Sequence, residues 1–474
     1  MRLAVRYFFL ILFLFILSNQ LLWINIIPYN FAPDEYAHYD VVEKYLTQKK
    51  YPLLIDNNAG IVKRDGNINA SYVMLQPLPY IFSALLAFPF SASVNQHYWY
   101  LFARLGSAFS IILYSFSLII LIWIFTKDFN ITLLGGIIGA LIPQLSFIGA
   151  YVNSDSLTLA LCTCLITYLS WLVKMKRFAF IYIIGLGILI GAVALTRYNA
   201  YPVLLTCILY FFYLFCIKIR KPKKYFLLLI SIFFTCGWWF ISNLVFYGDF
   251  FRLAEFYNTL RIVKPEEFKN ISIWELLLKT DWLIVTFKSF IGAFDWNYIF
   301  LPTILYIIAF LIGLFGTIGF IFKIKRLNKF QKEIFTLFAF TSLFIFIQAL
   351  LHSLLGSYQP QGRHLFPMYP MILLIIFLGF FFWRHKIQTF CLVALFTLFA
   401  NFFSLYFIIL PRYYHNSSSL KQIFFEIIYQ KPLIFSKWIM LGIIICYILT
   451  FISLVGYIIY LFIFPYKNKK LLDV

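Results

Sequence analysis

The chain has 474 residues, of which 63% are hydrophobic, 22% aromatic and only 12% charged. Soluble domains carry about a quarter charged residues, so this composition excludes an ordinary soluble protein. The formal net charge of +21 comes from 39 basic and 18 acidic residues. The basic residues are scattered among short loops, which argues against nucleic-acid binding and favours contact with anionic lipid headgroups.

Long apolar runs predict an all-α, polytopic integral membrane protein. Runs of about 20 residues match a hydrocarbon core about 30 Å thick, whereas a membrane β-barrel would show alternation. We predict one membrane domain, residues 1–474, with about 12 transmembrane helices. The predicted spans are 6–27, 98–125, 131–151, 156–173, 178–196, 200–217, 225–247, 298–322, 334–351, 366–383, 387–410 and 437–463.

The distribution of charge predicts the orientation. The loops on one side carry 21 of the 39 basic residues and three of the 18 acids. Short basic loops stay in the cytoplasm, so both termini are predicted to be cytoplasmic. The long loops at 28–97, 248–297 and 411–436 then lie outside, with most of the acids. Activity is therefore expected on the extracytoplasmic face, where ATP and nucleotide-sugars are absent.

The first outer loop begins with the motif Pro33-Asp-Glu-Tyr-Ala-His38. Asp34 and His38 are spaced i,i+4 and would share one face of a helix. A plain helix start is an open alternative, because proline suits the first helical position and acids suit the first turn. That alternative does not explain two acids together with a histidine. Asp34 and Glu35 are therefore the candidate catalytic acids, with His38 as a helper.

Two further polar motifs lie in outer loops. Gln76-Pro-Leu-Pro-Tyr80 is either a rigid turn or the start of a short interfacial helix, and it supplies Gln76. Tyr151-Val-Asn-Ser-Asp-Ser156 joins two spans and supplies Asn153 and Asp155. Asp155 either caps the next helix or reaches the same cleft as the first acids.

The motif Gln361-Gly-Arg-His-Leu-Phe-Pro367 contains the best phosphate ligand of the chain. Arg363 is a permanent cation whose forked donors suit phosphate oxygens. Gly362 allows the backbone a close approach. His364 either assists binding or caps a helix.

Two other arginines lie where the membrane makes charge costly. Arg197 interrupts apolar sequence at the outer edge, where it either extends to the headgroups or is paired. Arg104 lies within the second span, near its outer end. Both are candidate ligands of a donor phosphate.

The second large loop, 248–297, contains an amphipathic stretch. Apolar and charged residues alternate at helical spacing over 266–290, which predicts a helix lying on the membrane surface. The loop closes with Phe294-Asp-Trp-Asn297, for which the sequence suggests no role.

Four of these motifs, in this order, resemble the bacterial membrane protein family called domain of unknown function 2142. They are Pro33-Asp-Glu-Tyr-Ala-His38, Gln76-Pro-Leu-Pro-Tyr80, Val152-Asn-Ser-Asp155 and Gln361-Gly-Arg-His-Leu-Phe-Pro367. The chain departs from the family at His364, where tyrosine is usual, and at Leu78, which separates two prolines. That family in turn resembles the GT-C superfamily of integral-membrane glycosyltransferases, with a large first extracytoplasmic loop carrying juxtamembrane helices.

The resemblance implies a glycosyltransferase of the bacterial cytoplasmic (inner) membrane that uses a polyprenyl-phosphate-linked sugar. The acceptor would be an extracytoplasmic glycan, lipid or polymer. Asp34 would act as general base in an inverting transfer, and Arg363, Arg197, Arg104 and His364 would bind the donor phosphate. His38, Asp155, Gln76 and Asn153 would orient the acceptor.

A divalent cation is compatible with this mechanism, and Asp34, Glu35, His38 and Asp155 are the candidate ligands. It is not required, since arginine can neutralise the phosphate. Two other functions stay open: a transporter or flippase of lipid-linked glycans, and a polymerase or ligase of surface polysaccharide. A transporter would typically carry charge at mid-membrane and internal repeats, which we do not find in the sequence.

Overall fold

The computed structural model describes residues 2–55, 58–64, 68–252, 254, 271–356, 358–414 and 419–465. Within these residues the chain is mostly helical, with two small antiparallel hairpins. The predicted all-α polytopic fold is therefore confirmed.

The described helices α1 to α19 and strands β1 to β4 are numbered in chain order. The helices are α1 (Arg2–Ile26), α2 (Glu35–Gln48), α3 (Leu78–Ser91), α4 (Trp99–Thr126), α5 (Phe129–Ala140), α6 (Pro143–Ile148), α7 (Asp155–Met175), α8 (Phe180–Ala194), α9 (Tyr201–Phe212), α10 (Pro222–Tyr247), α11 (Ile273–Leu278), α12 (Trp282–Ile291), α13 (Thr303–Lys323), α14 (Lys329–Leu355), α15 (Tyr369–Phe380), α16 (Lys386–Phe403), α17 (Leu410–Tyr413), α18 (Leu420–Phe425) and α19 (Lys437–Ile463). The strands are β1 (Ile61–Arg64), β2 (Ile68–Ser71), β3 (Ala293–Phe294) and β4 (Ile299–Phe300).

In the described part of the chain, ten helical stretches are long and apolar enough to cross a membrane. They account for ten of the twelve predicted spans. The other two, 131–151 and 178–196, contain shorter helices. The first is broken between α5 and α6, because Pro143 has no N–H to continue a helix and suits the start of a new one. The second is α8, with 15 residues.

The break between α5 and α6 leaves backbone groups that need partners. Asn401 donates from Nδ2 to the Leu141 carbonyl (3.0 Å) and to Ser146 Oγ (2.7 Å). Asn19 on α1 also donates to Ser146 Oγ, at 3.0 Å. Unpaired backbone groups are costly at membrane depth, so this buried polar cluster allows the broken helix to exist there.

The helix packing has two main features: the central position of α4 and a glycine contact between α13 and α15. Helix α4 packs against α1, α3, α5 and α7, which places it at the centre of the N-terminal half. Elsewhere α13 packs on α15, where a Cβ atom on Gly379 would lie 1.7 Å from the Gly316 carbonyl oxygen. Only glycine allows the two backbones to approach this closely.

The first large loop, 28–97, contains helices α2 and α3, as predicted. They pack on each other and on α4. Between them β1 pairs with β2, with Ile61 opposite Ser71 and Arg64 opposite Ile68. The loop is thus a folded cap on one end of the bundle.

The prediction of one surface helix over 266–290 is wrong for the part that the structure describes; residues 255–270 lie outside it. Two short helices, α11 and α12, replace the single helix. They are separated because the Thr280 hydroxyl accepts a hydrogen bond from the Trp282 N–H (3.2 Å) and starts a new helix. Trp282 is buried and donates to Ser353 Oγ at 2.9 Å, so α12 packs into the protein.

The segment after α17 returns to the end of α1. Lys431 donates from Nζ to the carbonyls of Asn25 and Ile26 and to the Tyr414 hydroxyl. These carbonyls lack partners inside the helix, because they belong to its last turn. Burial, together with the nearby Arg104, lowers the pKa of Lys431 well below its ordinary value.

The helix bundle separates two groups of charged residues. At one end Lys218 pairs with Glu333 at 3.4 Å, and Lys174 lies over the Phe330 ring. These residues belong to loops that the charge distribution assigns to the cytoplasm. The outer-loop motifs come together at the opposite end. Which end faces the cytoplasm stays a prediction.

Candidate active site

Asp34 occupies an unusual backbone position between α1 and α2. Its φ of 57° is in the left-handed region, which asparagine and aspartate tolerate better than most residues. Helix α2 begins at Glu35, and the Asp34 side chain makes no capping hydrogen bond. The alternative of a helix start is therefore correct in part: the helix starts at Glu35 rather than at Pro33, with Glu35 in its first turn and Asp34 at its N-cap position.

The Asp34 carboxylate is buried yet incompletely paired. Oδ2 accepts a hydrogen bond from the Tyr72 hydroxyl at 2.7 Å, and the residue is 1% exposed. Oδ1 has no hydrogen-bond partner among the described residues. Buried polar atoms are almost always paired, so a free carboxylate oxygen indicates a site that a ligand or water completes.

His38 lies behind this carboxylate. Its ring stacks on Tyr72 at 4.3 Å, and its Nδ1 is 2.9 Å from the Tyr80 hydroxyl. Burial, followed by the charges of Arg197 and Arg363, lowers the pKa of His38 well below its ordinary value. A neutral imidazole therefore supports Tyr72, which in turn holds Asp34.

Glu35 points away from Asp34 and pairs with Arg104. The two side chains are fully buried, with Nε to Oε1 at 2.6 Å and Nη2 to Oε2 at 2.8 Å. Arg104 also donates to the carbonyls of Ile24, Ile27 and Pro28, between 2.8 and 3.1 Å. All five guanidinium donors are used, which argues against the phosphate-binding role expected for Arg104.

Asp155 begins α7 but does not cap it. Ser154 occupies the N-cap position, and the side chain that bonds the first turn is that of Asn153, whose Oδ1 accepts from the Ser156 N–H at 3.0 Å. Asp155 instead forms a salt bridge with Arg197 through Oδ1, and its Oδ2 lies 3.8 Å from Arg363 Nη1. Although burial opposes the charge of Arg197, Asp155 raises the pKa of this arginine above its ordinary value.

Arg363 lies in a 3₁₀ helix, Gly362–Met368, that precedes α15. A Cβ atom on Gly362 would lie 2.3 Å from the Phe290 backbone nitrogen, so only glycine allows this approach. The Gly362 N–H donates to Ser289 Oγ at 2.7 Å, and Arg363 Nε donates to Gln361 Oε1 at 2.5 Å. The Arg363 side chain is 14% exposed.

Two other predicted residues are buried close to this cluster. His364 lies 4.7 Å from the His352 ring, and its Nε2 has no hydrogen-bond partner within the described chain. Gln76 donates from Nε2 to the Tyr201 hydroxyl at 2.7 Å.

A cavity of about 230 Å³ is lined by both Asp34 and Arg363. Its other lining residues come from four parts of the chain: Pro33, Gln144, Phe147, Ile148, Tyr151, Ser289, Ala293, Asp295, Trp296, Asn297, Tyr358, Gln359, Gln361 and Gly362. Glu35, His38, Asn153 and His364 do not line it. The sequence indicated Asp34 and Arg363 as functional residues. It singled out the turn at 294–297 without a role and gave no signal for Tyr358.

The predicted acids and histidine do not form a metal site in this structure. Among the described residues, no group of three or more His, Cys, Asp and Glu side chains is arranged to hold a metal ion. Of the four candidate ligands, only Asp34 lines the cavity.

The fold is similar to that of two solved structures of ArnT. ArnT from Cupriavidus metallidurans bound to undecaprenyl phosphate matches with a TM-score of 0.53 and 13% identity, over 82% of this chain and 64% of ArnT. Apo ArnT matches with a TM-score of 0.51 and 13% identity, over 93% and 73%. The Archaeoglobus fulgidus oligosaccharyltransferase AglB matches at 0.44 and 15% identity, over 93% and 56%, too low to support an argument.

These identities establish the fold alone. The chain spans 64% of the length of the lipid-bound ArnT. No protein-family model and no curated protein matches the sequence.

Proposed function

We propose that this protein is a GT-C-type glycosyltransferase that moves a sugar from a polyprenyl-phosphate donor to an extracytoplasmic acceptor. The observation that carries the proposal is a cavity lined by an aspartate with a free carboxylate oxygen and by an arginine. The similarity to ArnT, solved with undecaprenyl phosphate, supports the choice of donor.

In the proposed reaction Asp34 is the general base. Its free Oδ1 takes the proton of an acceptor hydroxyl while the acceptor oxygen attacks the anomeric carbon of the sugar. The bond from that carbon to the phosphate oxygen breaks, and the phosphate leaves with the electron pair. Attack from the side opposite the leaving group inverts the configuration.

The leaving phosphate is stabilised by Arg363, which reaches the cavity, with Arg197 behind it. Fixed cations placed where charge develops are often the largest contribution to catalysis. Asp155 holds both arginines in place, because it lies between them. The leaving group is neutralised in this way by side chains of the protein itself.

The remaining predicted residues have supporting roles in this proposal. Glu35 and Arg104 fix the end of α1 and thereby the position of Asp34. His38 orients Tyr72, and Asn153 bonds the first turn of α7. His364 lies near the arginines, Gln76 bonds the Tyr201 hydroxyl, and a divalent cation is not needed for any step.

An apolar groove beside the cavity suits the prenyl chain of the donor. It has a volume of about 100 Å³, and its wall includes Pro143, Phe290 and Ile291. Their sequence neighbours Gln144 and Ser289 line the cavity. A lipid in the groove would thus place its phosphate close to Arg363.

The distribution of charge supports an orientation in the bacterial cytoplasmic membrane. Basic loops on one side favour cytoplasmic termini and a cavity on the outer face. A donor headgroup at the outer surface is then within reach of Asp34. Acceptors that fit this location are envelope glycans, lipids and polymers.

The test is sugar transfer from polyprenyl-phosphate sugars by purified Asp34→Asn protein. Loss of the base should lower turnover by roughly 10²–10⁴-fold, with the melting temperature unchanged. Asp128→Asn is the matched control, since Asp128 caps α5 through Ile131 at the opposite end and asparagine caps equally well. Turnover of Asp34→Asn close to wild type would refute the assignment, and movement of labelled lipid without transfer would favour a flippase.

A further inference from the structure

A four-residue turn at the tip of the β3–β4 hairpin contributes three side chains to the cavity. Ala293 pairs with Phe300 and Phe294 with Ile299, which leaves residues 295–298 as the turn. Asp295 and Asn297 both have left-handed backbones, with φ of 56° and 63°. Aspartate and asparagine are the non-glycine residues best suited to such positions.

The base of this hairpin is firmly held. Phe294 is fully buried and lies 6.0 Å from the Trp23 ring and 5.3 Å from the Phe147 ring. The Ala293 N–H donates to Gln144 Oε1 at 2.7 Å. The tip is therefore fixed in position before any ligand arrives, which reduces the entropy lost on binding.

The side chains at the tip divide into two sets. Asp295, Trp296 and Asn297 line the cavity, whereas Tyr298 does not and is 78% exposed. Trp296 is 40% exposed. Burial raises the pKa of Asp295.

An exposed tryptophan or tyrosine in a membrane protein is commonly an interfacial anchor. That explanation fits Tyr298, which does not line the cavity. It does not fit Trp296, which lines the same cavity as Asp34 and is flanked by the carboxylate of Asp295 and the amide of Asn297. An aromatic face bordered by hydrogen-bonding groups matches a sugar ring, which has C–H groups on its faces and hydroxyls around its edge.

The cavity also limits the size of the ligand. At about 230 Å³ it is smaller than the roughly 300–1,000 Å³ of typical drug-sized sites. One sugar ring fits that space better than an oligosaccharide does. Because Arg363 lines the same cavity, a sugar bonded directly to the donor phosphate would reach the hairpin tip.

We propose that the tip of this hairpin recognises the donor sugar. Trp296 stacks on one face of a single sugar ring, and Asp295 and Asn297 accept and donate hydrogen bonds at its hydroxyls. The inference rests on the proposed function. It makes these three residues the determinants of which sugar is transferred, since a site built to bond hydroxyls discriminates strongly against sugars that lack them.

The experiment measures the binding of lipids to the purified full chain in detergent. The reference lipid is undecaprenyl phosphate. The test lipids are undecaprenyl phosphates that carry glucose, mannose or arabinose. In the wild type at least one glycosylated lipid should bind more tightly than undecaprenyl phosphate. Trp296→Ala should reduce that gain by about tenfold and leave binding of undecaprenyl phosphate unchanged. Tyr298→Ala, in the same turn, should match the wild type.

Trp296→Phe guards against a folding defect, because it keeps an aromatic face and should restore part of the gain. Equal binding of the glycosylated lipid by Trp296→Ala and Tyr298→Ala would overturn the inference. A transfer assay gives a second outcome that would overturn it. If Trp296→Ala raised only the KM for the acceptor, the ring that Trp296 recognises would belong to the acceptor. If undecaprenyl phosphate binds the wild type but no sugar adds affinity, the inference fails and the donor-phosphate site stands. If undecaprenyl phosphate does not bind, the proposed function fails as well.

Discussion

Two buried acid–arginine sets lie at the same end of this protein, and they differ in whether the protein itself completes them. In the first, Glu35 and Arg104 are fully buried and every guanidinium donor has a partner. In the second, Asp155 lies between Arg197 and Arg363, and its Oδ2 has no hydrogen bond among the described residues. The first set is closed, whereas the second contains Arg363, which also lines the cavity.

The difference teaches that neighbouring residues in a motif can have unrelated tasks. Asp34 and Glu35 are adjacent, yet one faces the cavity and the other closes a structural ion pair. The left-handed backbone of Asp34 separates them. A carboxylate whose partners are all internal stabilises the fold, whereas one with a free oxygen is available for chemistry.

Glu35→Gln should have the largest effect, on stability. It leaves the buried charge of Arg104 without compensation, at a cost of about 3–5 kcal/mol. The measurement is the melting temperature of detergent-solubilised protein by fluorescence-detected size exclusion. Glu275→Gln, on the exposed part of α11, is the neutral control. A melting temperature of Glu35→Gln equal to that of Glu275→Gln would contradict this prediction.

Arg363→Ala should reduce activity rather than stability. Removing one preorganised donor to a developing anion typically costs about 10²–10³-fold in turnover. The loss should appear in kcat/KM for the lipid donor and not in the KM for the acceptor. Arg384→Ala, an exposed arginine at the other end of the bundle, controls for charge. A selective defect in acceptor use would move the phosphate site away from Arg363.

Lys431→Met tests whether Lys431, like the Glu35–Arg104 pair, stabilises the end of α1. The carbonyls of Asn25 and Ile26 would lose a donor, at a cost of about 1–3 kcal/mol. Because burial lowers the folded-state pKa of Lys431, the unfolded chain binds more protons between that pKa and about 10.4. The stability of the wild type should therefore rise with pH in that window more than the stability of the variant. Parallel pH profiles would contradict this.

Tyr72→Phe should have the smallest effect. It removes one hydrogen bond from Asp34 Oδ2, worth about 0.5–1.5 kcal/mol, so kcat should fall by about tenfold or less. Tyr51→Phe, at an exposed site, should leave kcat unchanged. A defect in KM alone would indicate that Tyr72 contacts the substrate.

Hydropathy and charge predicted most of the fold, because long apolar runs leave few alternatives in a membrane. They predicted one continuous helix over 131–151, because hydropathy averaged over a window does not detect that Pro143 starts a new helix. They also treated 266–290 as one helix, because the start signal at Thr280 is a side-chain hydrogen bond rather than a change in composition.

The site was harder to predict for reasons of distance along the chain. The motifs indicated Asp34 and Arg363, which line one cavity. Nothing local revealed that Arg104 is matched by an acid 69 residues earlier. Asn153 and Asp155 are both polar and both lie near the start of α7, so the sequence does not show which of them bonds the first turn. That depends on the backbone geometry. The hairpin tip becomes part of the site only through tertiary packing.

The spacing of these ion pairs also bears on how the chain enters the membrane during synthesis. Glu35 meets Arg104 after 69 residues, and Asp155 meets Arg197 after 42. Each acid thus acquires a neutralising partner from a segment that is synthesised soon afterwards, so little unpaired charge has to be held in lipid. Arg363 arrives last, 208 positions after Asp155, as a second cation on an acid that is already paired. Arg363 shares the cavity lining with the carboxylates of Asp34 and Asp295, so this part of the site is complete only when the C-terminal half has folded.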